Sequence, residues 1–304
     1  MKRTPWLLIF VLLAVVTFGV LYLAATPPRI ALEYTSDRPA AARVENGLYL
    51  VRLAGCMTCH TDEEGGGKAF AGGRAFTSKF GTFYAPNITP DVDTGLGRWS
   101  EEDFVRAMRY GISRDGHAYF PVFPYTSYAN LTDGDLLAMY AYLKTVKPVK
   151  RANTPHALPW YLARASARLW QITFFRPGGS SFMHSMDTPL GRGEYLANAV
   201  AHCGECHTPR NVFGATRPSR HFAGVIKAQA LDGKAVPNIT RSFKSGIGKW
   251  GATDLRHYFQ TGQLPDGDYV GGSMAEVIDN GLKYLSADDS KALATYLRSV
   301  PERE

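Results

Sequence analysis

Polarity along this chain changes character twice. From Trp6 to Ala25 there is an uncharged apolar run about as long as a helix needs to cross a hydrocarbon core. Lys2 and Arg3 precede it, and Ala24-Ala25-Thr26-Pro27-Pro28 after it lack a clean small-x-small cleavage site. The segment 1–26 therefore reads as an anchor that is retained, with a removed signal as the other reading. The flanking cations put the amino terminus in the cytoplasm and the rest of the chain outside it. The expected location is the inner (cytoplasmic) membrane, single-pass, with the body on the periplasmic side.

Beyond Asn46 the apolar residues recur at three and four residue steps in short stretches, as in Leu136, Met139, Tyr140 and Leu143. Helices are expected over roughly Ser100 to Tyr110 and Ala252 to Thr261, with Ser100 and Thr253 suited to cap them, and after Leu131-Thr132 and Leu285-Ser286. Strand signals are scarce, so the fold class expected is all-α. The pattern also repeats at an offset near 150 residues. Gly47-Leu48-Tyr49-Leu50 answers to Gly193-Glu194-Tyr195-Leu196, and Pro86-Asn87-Ile88-Thr89 returns unchanged as Pro237-Asn238-Ile239-Thr240. Gly97-Arg98-Trp99 matches Gly248-Lys249-Trp250, and Gly111 matches Gly262. Two tandem domains follow, 40–150 and 185–304, joined by a connector over 151–184. Its Trp160, Trp170, Phe174 and Phe175 are too apolar for a free linker, and a helix from Tyr161 to Phe175 is expected to pack between the domains or cover their apolar surface.

The formal charge of +7 is moderate and its cations are scattered, so no nucleic-acid partner is implied. A domain of about a hundred residues with so much loop has a thin core of its own, which directs attention to the four cysteines. They form two identical spacings, Cys56-Met57-Thr58-Cys59-His60 and Cys203-Gly204-Glu205-Cys206-His207. In an exported chain four cysteines could be disulfides, and paired Cys-x-x-Cys motifs also hold zinc. A zinc ribbon keeps its pairs close in sequence, whereas these belong to separate repeats. The histidine following each pair points instead to haem attachment, with two sulfurs forming thioethers and His60 or His207 reaching iron. Two covalently bound haem c groups are expected.

Met274, in the loop Gly271-Gly272-Ser273-Met274, is placed to supply a thioether as sixth ligand in the second domain. At the matching offset the first domain has Phe123, which cannot bind iron. His117 is the first substitute to test; an iron without a sixth protein ligand is the other possibility, while Met108 and Met139 are better read as packing residues and Met57 points from inside the attachment motif. Asn87, Asn238, Trp99 and Trp250 either tune the haems from behind the ligands or shape turns and core. Arg210 either pairs with a propionate or lies on the surface, while His202, His221 and His257 have no motif context.

Arg192-Gly193-Glu194-Tyr195-Leu196, the stretch from His202 to Asn211 and the Pro-Tyr-x-Ser-Tyr stretch from Pro124 to Tyr128 resemble the cytochrome c subunits of membrane-bound periplasmic alcohol, gluconate and fructose dehydrogenases. The resemblance spans about Asn46 to Val300 and implies class I cytochrome c-like domains. It also implies a non-catalytic electron-transfer subunit, with a dehydrogenase catalytic subunit as donor partner and a respiratory-chain acceptor. Those subunits usually carry three haem motifs and a Met where Phe123 stands, and this chain departs from both. A second reading, a dihaem redox enzyme with an open first iron, rests on Phe123 alone.

Overall fold

The computed structural model describes residues 9–17, 19, 39–162, 164–177, 182, 184–227 and 234–304. Residues 9–17 are helical, with Phe10, Leu12 and Leu13 among their exposed side chains. Most of the segment expected to be an anchor, including Lys2 and Arg3, lies outside the described residues. Among those described, no helix is long and apolar enough to cross a membrane.

Each half is organised by a glycine that lets its first and last helices touch. In the first half, α1 (Ala40–Leu53) lies against α5 (Asp133–Leu143). A Cβ on Gly47 would stand 2.0 Å from the Ala138 carbonyl oxygen. In the second half, α7 (Pro189–Tyr195) meets α11 (Ala287–Ser299), and Gly193 makes the same 2.0 Å approach to the Ala292 carbonyl. This close contact accounts for the repeated glycine. Between these helices come the attachment turns α2 (Cys56–His60) and α8 (Gly204–His207), then α3 (Glu101–Tyr110) and α9 (Ala252–Thr261). The short α4 (Tyr125–Tyr128) and the longer α10 (Gly272–Asn280) precede the last helices, and α6 (Arg164–Phe174) lies in the connector.

The caps follow the sequence closely. Ser100 and Asp103 form a reciprocal capping box, and Thr132 and Ser286 accept from the backbone N–H groups of Asp135 and Asp289. One cap differs from expectation. Thr253 lies inside α9, whose end is closed by the Asp254 carboxylate accepting from Gly251 N at 2.7 Å.

The all-α expectation needs one correction, an antiparallel hairpin of β1 (Ala75–Ser78) and β2 (Gly81–Tyr84). Its strands have four residues each, too short for a periodic signal. Phe83 anchors the hairpin on Ile112, Ala118, Phe120 and Ala167. Residues beyond 150 also belong with the first half: Ala157 pairs with Thr82, and Arg151 donates to the Gly72 carbonyl at 2.6 Å. The connector helix begins at Arg164 rather than Tyr161. It packs chiefly on the first half through Ala167, Gln171 and Phe175, and touches the second where Trp170 Nε1 donates to the Phe213 carbonyl. Trp160, expected to be covered, is 91% exposed.

The two halves dock through matching contacts. Tyr49 donates to Asp289 at 2.6 Å and accepts from Ser286 N; Tyr195, its counterpart, donates to Asp135 at 2.6 Å and accepts from Thr132 N. Each half thus offers the same tyrosine to the same helix start of the other, the signature of an isologous interface. A single continuous core, from Leu50 and Leu136 to Leu196 and Leu293, runs through both.

Candidate functional site

Both cysteine pairs sit where a helix has just ended. Gly55 takes left-handed backbone (φ 65°) after α1, which turns the chain so that Cys56 to His60 form one helical turn. In the second half Cys203 N–H reaches back to the Ala197 carbonyl, and Cys203 to His207 repeat the turn. None of the four cysteines is in a disulfide. Burial pushes the Cys56 and Cys203 thiols up to about 12 and the Cys59 thiol up to about 11. A thiol activated for redox exchange shows the opposite shift. Among the described residues no group of three or more His, Cys, Asp or Glu side chains is assembled to hold a metal ion.

The histidines are oriented by backbone. His60 Nδ1 lies 2.7 Å from the Pro86 carbonyl oxygen and His207 Nδ1 lies 2.8 Å from that of Pro237. A carbonyl only accepts, so Nδ1 carries the proton in both rings and the Nε2 lone pair is left for a metal. Burial also lowers both histidines from their ordinary value, which favours the neutral, ligating form.

The carbonyls are held in place by a loop that the sequence flagged without explaining. After the turn, Thr61 Oγ1 accepts from Phe70 N and Thr208 Oγ1 from Phe222 N. Phe70 and Phe222 have positive φ, 61° and 64°, a conformation costly for aromatic residues and present in both copies. The chain then returns through Pro86 or Pro237. Asn87 Oδ1 accepts from Thr89 N and Oγ1, while its Nδ2 donates to Thr94 Oγ1 and the Val149 carbonyl. Asn238 makes the corresponding bonds to Thr240, Ser245 and the Arg303 carbonyl. These asparagines therefore shape the turn, which satisfies both their donors and their acceptor. Trp99 and Trp250 are half-buried against the core.

Other side chains fall into place around the turns. Arg210 pairs with Glu205, from inside the second motif, and donates to the Glu205 and Gly214 carbonyls at 2.8 Å. His221 bonds Asn198, and His257 is exposed and bonds Gln263. Met274 lies in the first turn of α10, half-buried against the core. Phe123, at the matching offset, is ringed by Tyr119, Tyr125 and Tyr128. His117 is exposed in a turn closed by Ser113, whose Oγ accepts from His117 N at 3.0 Å. Met108 and Met139 are buried in the core, as packing residues should be. The proline carbonyls, the two threonines and Glu205 are what sequence reasoning missed; the unchanged Pro-Asn-Ile-Thr was the signal for the first.

A glycine-crossed helix pair, a Cys-x-x-Cys-His turn and a backbone-oriented histidine, each built twice, define a c-type cytochrome. Residues 44–147 match the cytochrome c family. The chain is 38% identical over 256 residues to a diheme cytochrome c-type of Cereibacter sphaeroides, covering 82% of this chain and 83% of that protein. It is 40% identical to the fructose dehydrogenase cytochrome subunit of Gluconobacter japonicus, covering 93% of this chain and 58% of that subunit. To the gluconate 2-dehydrogenase cytochrome c subunit of Pantoea cypripedii it is 36% identical, over 88% of this chain and 62% of that one. The chain belongs to this family of c-type cytochromes, whose members carry covalently bound haem. It spans 58% and 62% of the length of those two dehydrogenase subunits.

Proposed function

We propose that this chain is a dihaem electron-transfer subunit. It takes single electrons from a dehydrogenase catalytic subunit in the periplasm and passes them toward the respiratory chain. The observation that carries this reading is the histidine with Nδ1–H committed to a proline carbonyl, present in both halves beside a Cys-x-x-Cys pair that forms no disulfide. When bound, haem supplies an iron that cycles between Fe(III) and Fe(II). Cys56, Cys59, Cys203 and Cys206 would hold the two groups, and His60 and His207 would ligate through Nε2. The peptide acceptors behind the rings raise their basicity and fix their orientation.

Met274 would complete the second site and raise its potential, whereas Phe123 offers the first no ligand. His117, exposed in its turn, is the first side chain to test as a ligand there. The relatives' names describe cytochrome subunits rather than substrate-converting ones, which weighs against the enzyme reading. The segment 1–26 tethers the chain to the inner membrane, with membrane fractionation as its test. Redox titration of the purified protein tests the function. Two one-electron steps are expected, with Met274→Ala lowering the potential of one step and leaving the other in place. A single step, or two steps indifferent to Met274→Ala, contradicts the assignment.

A further inference from the structure

The repeat departs from its own pattern at one interface residue. Immediately before the first cysteine, the first half has Gly55 at φ 65° and the second half has His202 at φ 40°. Glycine enters this region freely, whereas histidine is strained there. The strain comes with an insertion: eight residues lie between Gly47 and Cys56, but nine between Gly193 and Cys203. The extra residue is absorbed in a π turn over Leu196–Val200, a feature that concentrates at functional sites.

The strained histidine spans the interface. His202 Nε2–H donates to the Ala54 carbonyl, 3.2 Å away and two residues before Cys56. Its ring packs edge-on against Tyr128 at 5.4 Å, and Tyr128 Oη donates to the same carbonyl at 2.9 Å. The residues between the cysteines are also held by the opposite half. Thr126 and Ser127 donate to Glu205 at 2.6 and 2.7 Å, while Asn280 donates to Thr58 Oγ1 at 3.2 Å. Arg74, bonded to the Thr58 carbonyl, reaches Glu276 at 2.7 Å. The two cysteine-bearing turns are thus docked inward, each gripped by the other half's segment next to Phe123 or Met274.

We propose that electron exchange between the two haems runs across this contact, from the edge attached at Cys56 and Cys59 to the edge attached at Cys203 and Cys206, and that His202 is the positioning residue that sets the gap. One electron leaves Fe(II) on one side and arrives at Fe(III) on the other; no bond is made or broken and no proton moves. This inference rests on the two-haem reading above. Tunnelling decays exponentially with distance, so a contact that sets how closely the two turns approach bears directly on the rate, which gives the strained backbone a use.

His202→Gly restores the pattern of the first half and deletes only the bridging ring. The full chain is compared with the wild type in haem content, in the magnetic coupling between the two ferric haems, and in the rate of electron redistribution after photoreduction. With two haems retained, the exchange rate is expected to fall at least tenfold and the coupling to weaken, while His202→Asn, which tolerates the backbone but is too short to bridge, behaves like glycine. Tyr128→Phe removes one hydroxyl with little disturbance and is expected to slow exchange at least twofold, which carries the test if His202→Gly loses haem. Unchanged rate and coupling in a two-haem variant overturn the positioning role. A wild-type chain with fewer than two haems overturns the underlying reading instead.

Discussion

At the scale of single residues, the chemistry depends on groups with very different visibility in sequence. The cysteines and histidines announce themselves by type and spacing. The Pro86 and Pro237 carbonyls do not, because a backbone acceptor has no side-chain signature; only their return in an unchanged tetrapeptide marked them. Asn87→Ala removes two donors and an acceptor that pin this loop, and should cost about 2–3 kcal/mol in chemical denaturation. His221 makes a sharper case. Burial, with Arg303 nearby, lowers it to about 4, while the unfolded chain titrates near 6.5. Between those values the unfolded state binds the extra proton, so stability is complete above about pH 6.5 and falls as pH drops toward 4, by about 3 kcal/mol. Denaturation at pH 7.5 and pH 5 checks the sign, and His221→Gln should flatten the dependence.

At the scale of elements, the long helices and their caps were legible because periodic apolar residues, hydroxyl caps and acidic first turns agree over ten or more residues. The hairpin and the four-residue α4 were not, since elements this short take their conformation from what they pack on. The boundary near 150 hid for a similar reason: Arg151 and Ala157 are bound to the first half by contacts with Gly72 and Thr82, which local pattern cannot show. The helix crossings give the clearest mutational test. Gly47→Ala drives a methyl group into the Ala138 carbonyl, and Gly193→Ala does the same at Ala292. Each should destabilise its half by about 1–3 kcal/mol or more, read as a lower denaturation midpoint with little change in slope.

For the whole molecule, the duplication was plain in sequence but its docking was not. In sequence Tyr49 and Tyr195 are matching positions of the repeat; that each reaches the other half's Asp289 or Asp135 emerges only once the halves are assembled. Burial alone would raise the Asp289 carboxyl, yet Arg192 and Tyr49 outweigh it and hold it below the ordinary carboxylate value. Its contribution is therefore present above about pH 4 and lost as pH falls through the lowered value. Tyr49→Phe should cost about 1.5–3 kcal/mol as a hydrogen bond to a charged group is lost. It should also loosen the halves, detected as faster amide exchange in α1 and α11. The claim on which everything else depends is that each half attaches its own haem. Intact mass of the exported chain, purified from a host with haem-attachment machinery and denatured to release anything not covalently bound, tests it most directly. The mass of the chain plus two haems is the expected result, dropping by one haem in Cys56→Ser/Cys59→Ser; a chain carrying one haem or none contradicts the account.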